Sequence, residues 1–467
     1  MGSEKNLTSI ANIALEMGDA PFGSNLKTSD YTMSGALVVQ GKNIAGRVFD
    51  WTTKRHISIE KYESIKRSHC FEGDLIFPKV GTIGKVGRLS PCLGYDKYIL
   101  STNTMRLRVD PKKANPLFVY YYFTWERTVN LIHAMNSKSV QPVFNFTSLK
   151  KFPIELPSTE KQDFAALVLD SLDKKIELNQ KTNQTLEKMA QALFKSWFVD
   201  FDPVIDNALM ARNPIPEELQ ARAELRQRVI AERATNPKLK PLPDDIQQLF
   251  PSEFEESELG WIPKGWEVTS FESLISLIGG GTPKTTIDDY WGGDIPWFSV
   301  VDAPNDSDVF VIDTEKHVTQ LGVDKSSTKI LREGTTIISA RGTVGKCALV
   351  GSLMAMNQSC YGIVGKSENH DEYIYFLTRY QVSDLQKRGH GSVFNTITRE
   401  TFKSISLAKS SDLLTQKFSE MVRPYLTKIL SNNKQNIELT KLRDVLLPKL
   451  ISGEIQLDSR AQELMDA

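Results

Sequence analysis

The residues that come nearest to chemistry lie in two glycine-rich stretches, "KVGTIGKVG" (Lys79 to Gly87) and "RGTVGKCA" (Arg341 to Ala348). Glycines beside lysine and threonine, placed after an apolar run, are the makings of a phosphate-gripping loop, because glycine lets backbone N–H groups close on an anion. The spacing denies a nucleoside triphosphate. A Walker loop needs GxxxxGK followed by Ser or Thr. Counting back from Gly84-Lys85 puts Lys79 at the first glycine and Val86 after the lysine; the second stretch puts Ala340 and Cys347 there. "GGGTP" (Gly279 to Pro283) has the wrong spacing for a dinucleotide turn and a proline where the helix should begin. The six histidines (His56, His69, His133, His317, His370, His390) lie far apart, without a metal-ligand partner at helical or turn spacing. No carboxylate pair recurs in both halves, as a duplicated active site requires, and the Asn/Asp-Pro-Pro-aromatic motif of adenine methyltransferases is absent. No catalytic residue is assigned.

What recurs is a turn and the elements that must hold it. Four stretches repeat in the same order at a period of about 250 residues, too long for a solenoid and right for a duplicated domain pair. "GDLIFPKVGTIGKV" (Gly73 to Val86) matches "GTTIISARGTVGKC" (Gly334 to Cys347). "STNTMRLRV" (Ser101 to Val109) loosely matches "AMNQSCYGI" (Ala355 to Ile363), which sets Asn103 opposite Asn357. "QPVFNFTSLKKF" (Gln141 to Phe152) matches "GSVFNTITRETF" (Gly391 to Phe402), and "IELNQKTNQTLEKM" (Ile176 to Met189) matches "ILSNNKQNIELTKL" (Ile429 to Leu442). Each half opens with short strand-like runs such as "ALVVQG", "TMRLRV" and "TTIISA", mixed with helices such as "NPLFVYYYFTWERTVNLIH".

A long helical pattern follows each module. Apolar residues step along Phe164, Val168, Leu172, Ile176, then Leu186, Met189, Leu193 and Trp197; the second copy runs through Met421, Tyr425, Ile429, then Leu439, Leu442, Leu446 and Leu450. Asn179 and Asn183 interrupt the first seam and Asn432 and Asn436 the second, at the same places. Asparagines in a coiled-coil seam fix register and orientation at some cost in stability. The simplest pairing of two equivalent helices is antiparallel, with a two-fold relation that their modules inherit and an elongated outline. The expected fold is therefore α+β: two strand-rich recognition modules separated by two long antiparallel coiled-coil helices. Its divisions are a first module at 1–155, a central helix at 156–200, an acidic connector at 201–258, a second module at 259–407, and a distal helix with a C-terminal tail at 408–467.

Charge is uneven although the net charge is zero. Residues 1–155 carry 21 Lys/Arg against 13 Asp/Glu, and residues 200–260 carry seven against thirteen. The first module can hold a polyanion, whereas the connector, helical from Glu217 to Ala234 and punctuated by proline, suits a protein contact. Ten Lys/Arg fall between Lys42 and Arg88, and among them Lys54, Arg55, Lys79 and Lys85 are candidate DNA contacts. The four scattered cysteines form no CxxC pair, and neither a signal region nor an 18-residue apolar run is present, so a soluble protein of the reducing cytoplasm is expected. A duplicated, two-fold-related pair of modules without catalytic groups suits two half-sites on duplex DNA, and divergence between the modules makes the target asymmetric.

"FKSWFVDFDPV" (Phe194 to Val204), "LFPSEFEESELGWIPKGWEV" (Leu249 to Val268), "GGGTPKT" and "YWGGDIPWFSVVD" (Tyr290 to Asp302) together resemble the specificity subunit of type I restriction–modification systems, over nearly the whole chain. The resemblance implies a non-catalytic subunit that recognises split double-stranded DNA and binds two methyltransferase subunits, with motor–nuclease restriction subunits joining. S-adenosylmethionine, ATP and Mg²⁺ then belong to those partners, with no cofactor or metal on this chain. By motif, DNA contact falls to Lys79, Thr82 and Lys85 in the first copy and to Arg341, Thr343 and Lys346 in the second, with Lys284 and Thr285 of "TPKT" beside them; Trp297 of "IPWF" reads as core. Two departures stand out. The connector from Asn207 to Asp244 is longer and more charged than the family pattern, and module one lacks the "IPKGW" strand, so its first 60 residues align poorly. The rival readings are a stand-alone DNA methyltransferase or endonuclease, and a coiled-coil adaptor with no DNA role.

Overall fold

The computed structural model describes residues 6–21, 25–45, 48–136, 143–233, 235–236, 239–304, 308–366, 370–389 and 396–455. Several sequence expectations lie outside the described residues: the N-terminal Met1 to Lys5, Arg47 of the basic cluster, Gln141 and Pro142, His390, the repeat segment Gly391 to Asn395, Ala234 of the connector helix, and the tail from 456. The chain forms two compact units, residues 1–176 with 438–467, and residues 177–437.

In the first unit the strands Gly87–Arg88, Leu75–Pro78, Thr104–Val109 and Ala14–Gly18 lie side by side in that order, all antiparallel. A second sheet runs Tyr31–Thr32, His56–Ile57, Ala36–Val39, Tyr98–Leu100, His69–Cys70, with Ala36–Val39 parallel to Tyr98–Leu100. The second unit repeats both. Cys347–Val350, Thr336–Ser339, Cys360–Gly365 and Ile275–Gly279 form the same antiparallel order, extended at one edge by Phe310–Val311; His317–Val318, Trp291–Phe298 and Ala355–Met356 reproduce the middle of the mixed sheet. Each module ties its ends together with one antiparallel pair, Asn6–Ser9 to Pro153–Leu156 and Glu267–Ser270 to Ser406–Lys409.

These matches correct two sequence alignments. The first module's opening residues do align: Asn6–Ser9 and Ala14–Gly18 precede Glu267–Ser270 and Ile275–Gly279 by a constant 261 positions. Side-chain divergence hid what strand pairing kept. Asn103 is not opposite Asn357 but opposite Ser359: the Lys79 N–H donates to the Asn103 carbonyl (2.8 Å), as the Ala340 N–H does to Ser359 (2.8 Å). The loop between turn and strand is shorter in the second module, so an ungapped comparison slips. The run "NPLFVYYYFTWERTVNLIH" is also two helices, Pro116–Thr124 and Glu126–Asn136, broken at extended Trp125. Asn115 caps the first by accepting from the Leu117 and Phe118 N–H groups, with Pro116 in the first turn where no N–H is needed.

Helices Thr159–Phe198 and Asp412–Ile451 are each 40 residues long and start 253 residues apart. In the second unit the Asn179 side-chain amide donates to Asn436 (2.8 Å) and Gln435 (2.9 Å), Asn183 donates to Asn433 (2.6 Å), and Asn432 donates to Asn183 (2.8 Å). Partners descend along one helix as they ascend along the other, so the helices are antiparallel. Asn179, Asn183 and Asn432 are almost fully buried, and their exchange of amide bonds is what makes that burial tolerable. In the first unit Arg443 donates to Asp173 (2.8 Å), which also accepts from the Tyr121 hydroxyl (2.8 Å).

The buried line departs from the expected seam in part. Trp197, Ile429 and Leu450 of that seam are buried, but Met189 and Leu442 are about half exposed, while Ala190 and Phe194, outside it, are buried. Each helix end buries a face in a module core rather than only a narrow stripe in its partner. Phe194 and Trp197 pack with Tyr373, Phe376 and Phe418 in the second unit; Leu447 and Leu450 join Phe118, Ala165 and Leu169 in the first.

The described connector residues form helices. Helix Asp202–Ala211 packs Val204 with Trp197 and Phe250, and helix Gln220–Arg233 answers it with arginines. Arg222 takes Asp202 (2.7 and 2.8 Å) and Arg226 takes Asp206 (2.8 and 2.6 Å), each as a two-pronged pair. The expected helix start at Glu217 is one 3₁₀ turn, Glu217–Leu219, before the α-helix proper. No helix among the described residues is long and apolar enough to cross a membrane.

Candidate nucleic-acid interface

Each glycine-rich turn joins two neighbouring antiparallel strands of its sheet. Gly81 and Gly84 have φ of +77° and +88°, and Gly342 and Gly345 of +75° and +90°, so both turns need left-handed backbone at equivalent places. The two glycines of a turn do different work. A Cβ on Gly81 or Gly342 would meet nothing within 4 Å, whereas one on Gly84 would lie 3.0 Å from Val129 and His133, and one on Gly345 2.7 Å from Gln386. The first glycine is the open tip; the second is pressed on a module helix. Gln386 also donates to the Val344 carbonyl (2.8 Å), and Ser339 Oγ accepts from the Lys346 N–H (2.9 Å). Gly342→Ala is therefore expected to cost about 1–2 kcal/mol of backbone strain. Gly345→Ala should cost about 2–5 kcal/mol, because overpacking is added to that strain. Denaturant unfolding midpoints of the two variants check the order.

Position 79/340 explains why its residue type changed between copies. Its N–H is held by the next strand and its carbonyl accepts from Phe144 in one module (3.0 Å) and Ile397 in the other (3.0 Å), so the backbone does the bracing. The Lys79 side chain is then turned to Asp19 in an ion pair. Thr82 and Lys85 are exposed, as are Arg341 and Thr343. Lys346 is half-buried and lines a small pocket of about 150 Å³ with Asp308, Cys347 and Arg379. Burial lifts the Cys347 thiol to about 12, which makes it a structural rather than a reactive cysteine.

A groove of about 490 Å³ opens in the first module, lined among others by Tyr31, Gln40, Lys42, Arg55, Thr82 and Asn103. It brings together two of the expected contacts, Arg55 and Thr82, and leaves Lys54, Lys79 and Lys85 off its wall. Arg55 lies over the Tyr31 ring at 5.1 Å, and Lys54 lies over Tyr95 at 5.2 Å. Their loop is pinned: the Asn43 amide donates to the Asp50 and Thr53 carbonyls, and the Asp50 carboxylate accepts from the Thr52 N–H, which holds its pKa below the ordinary value. Two arginines that swell the module's positive count are unavailable. Arg106 is fully buried against Glu16 and Asp74, and Arg108 grips Asp74 through two bonds (2.7 and 3.0 Å).

The second module's groove, about 520 Å³, is lined among others by Thr285, Asp288, Trp291, Glu315, Lys316 and His317. Of the expected contacts it gathers Thr285 alone. Lys284 is exposed beside it, its carbonyl accepting from the Trp291 indole (3.3 Å). Trp297 is buried and its indole N–H donates to the Gly281 carbonyl (3.0 Å). Lys316 and Trp291 were not singled out in the sequence, although Lys316 stands 261 residues after Arg55, the offset of the turns. Among the described residues no group of three or more His, Cys, Asp or Glu could hold a metal ion.

Comparison with known proteins bears directly on this arrangement. The family model for the type I restriction modification DNA specificity domain matches residues 3–188 and 263–440, leaving out the whole connector. The chain is 30% identical over 390 residues to the type I restriction enzyme HindI specificity subunit of Haemophilus influenzae, covering 77% of this chain and 82% of that one. It is 31% identical over 193 residues to the MjaIX specificity subunit of Methanocaldococcus jannaschii, covering 41% and 45%. A crystal structure of a type I restriction-modification S subunit from M. genitalium covers 96% of both chains with a TM-score of 0.57 at 13% identity, a likeness of fold. With two matched domains carried on paired 40-residue helices, the chain belongs to the family of type I restriction–modification specificity subunits.

Proposed function

We propose that each module holds one half-site of an asymmetric, split duplex target, and that the asparagine-registered helix pair sets the spacer between them. The observation that carries this reading is the repeated four-strand antiparallel order, with the shared middle of the mixed sheet, on helices of equal length. As a specificity subunit the chain is non-catalytic, and the catalytic activities lie on other subunits of the complex. We assign those partners as two adenine methyltransferase subunits carrying S-adenosylmethionine, and restriction subunits using ATP and Mg²⁺, assembled in the cytoplasm. Within the modules we assign DNA contact to the exposed Arg55, Thr82 and Lys85, and Arg341, Thr343 and Thr285, with Lys54 and Lys284 beside them; Lys79 and Lys346 are engaged within the protein. Phosphate contacts of this kind position the duplex, and base contacts specify it. The domain boundary after residue 155 and the register role of Asn179, Asn183, Asn432 and Asn436 are part of the same proposal.

Inserting four residues into each long helix, between Asn179 and Leu186 and between Asn432 and Leu439, lengthens each by about 6 Å. At about 3.4 Å per base pair, the spacer of the methylated target is expected to grow by about two base pairs with both half-sites unchanged. Sequencing of methylated adenines after expression with the partner subunits reads this directly. An unchanged spacer in an assembled, active complex sinks the helix-ruler reading.

A further inference from the structure

We infer that Tyr31 with Arg55, and Trp291 with Lys316, are equivalent aromatic–cation pairs, each reading the edge of one base pair in its own half-site. The equivalence follows from backbone register. Tyr31 pairs with Ile57 and Trp291 with Val318, and both aromatics leave a 3₁₀ turn, Thr28–Asp30 or Asp288–Tyr290. Leu37 is opposite His56 and Pro296 opposite His317. The residue before each of those histidines is held alike: the Val38 N–H donates to the Arg55 carbonyl (2.9 Å), and the Trp297 N–H to the Lys316 carbonyl (2.9 Å). Both pairs line the grooves described above.

In each pair the cation is exposed, and in the first it is also oriented by its ring. Arg55 is exposed and its guanidinium lies on the Tyr31 ring, so its planar fork is oriented before any ligand arrives. Trp291 is fixed by an edge contact with Trp297 (centroids 5.1 Å apart) and by its indole bond to Lys284. In the second groove the chemistry of the walls separates base from phosphate. Asp288 and Glu315 line the second groove beside Lys316 and would repel a phosphodiester, but a carboxylate accepts well from the cytosine amino group while a cation donates to guanine O6 and N7. In the first groove Arg55 stands with the amides of Gln40 and Asn103, an acceptor and donor set that also fits a major-groove edge. His317, next to Lys316, is bonded to Asp313 (2.8 Å). Arg55 and Lys316 are thus specificity-determining residues that commit each half-site to a guanine, and Tyr31 and Trp291 are positioning residues.

This rests on each module holding one half-site. The test uses the full chain expressed with its methyltransferase partners, and reads every methylated adenine and its flanks. Arg55→Ala should lose discrimination at one guanine of the first half-site by about ten- to a hundred-fold, and Arg55→Lys should lose a smaller part of it, since lysine also donates to guanine O6 and N7 but without the planar fork. The second half-site should stay as it was, and Lys316→Ala should give the mirror result. Arg55→Lys keeps charge and bulk, so it answers even if the alanine variant fails to assemble. A motif unchanged in both Arg55 variants overturns the inference. So does a uniform weakening in Arg55→Ala that lysine restores, which is the mark of a phosphate contact. Exchange of residues 1–155 that altered neither half-site would instead overturn the underlying reading.

Discussion

An Arg379→Met chain is expected to unfold with about 3–5 kcal/mol less stability than the parent, the cost of stranding a buried charge. Glu187 lies on helix Thr159–Phe198, is 3% exposed, and takes Arg379 as its ion-pair partner. Arg379 comes from helix Asp371–Gly389 and donates also to the Tyr375 hydroxyl (2.9 Å), while Gln191 donates to Glu187 (3.0 Å). Burial holds the Glu187 carboxyl above its ordinary value of 4.5 even with the arginine beside it. Without Arg379 that rise can only grow. A carboxyl whose pKa is raised on folding contributes stability that is present at low pH and lost as pH rises through the folded value. The deficit of Arg379→Met should therefore be largest near neutral pH and shrink on acidification toward the ordinary carboxylate range. Glu187→Met combined with Arg379→Met should recover most of the loss, because an apolar pair of similar volume leaves no charge behind. Denaturant unfolding at several pH values measures all three. A loss under about 1 kcal/mol, or a deficit that deepens on acidification, contradicts the buried-pair account.

The same pair shows where sequence reading stopped. Glu187 sits between Asn183 and Ala190 on the buried line, and nothing in an apolar-spacing pattern marks a charge as interior; its partner is 192 residues away. The helix lengths, the asparagine positions and the glycine-rich turns were legible, because each leaves a local signature of period, polarity or required φ. The inward face of the helices was legible at Trp197, Ile429 and Leu450 but not at Met189 and Leu442, which fit the spacing while the cores receive Ala190, Phe194 and Leu447. Within the site, Thr82 and Lys85 were visible from the turn. Tyr31, Trp291 and Lys316 were not, because their equivalence lives in strand register: Tyr31 opens a two-residue strand and Trp291 an eight-residue one. The basic count of the first module overstated its reach, with Arg106 and Arg108 consumed by Asp74 and Glu16.

Exchange of residues 1–155 for the corresponding module of a related specificity subunit is expected to replace one half of the target outright. The module is suited to exchange because its first and last strands pair with each other, bringing its two ends together ahead of the long helix. Its core takes in Ala165, Ala166 and Leu169 from one long helix and Leu447, Leu450 and Ile451 from the other, so the donor must keep that apolar face. Loss of a matched half-site removes several base contacts at once, each worth about 1–3 kcal/mol of discrimination. The old target should then fall below detectable methylation rather than weaken by degrees. Nothing in the second unit is touched: the Asn183–Asn432 and Asn179–Asn436 bonds and the whole second groove lie within residues 177–437. The measurement that tests the account is the genome-wide position of methylated adenines in cells expressing the exchanged chain with its partner subunits. The account predicts a new sequence in one half of the motif, with the other half and the spacer unchanged. A motif altered in both halves, or in neither, contradicts it.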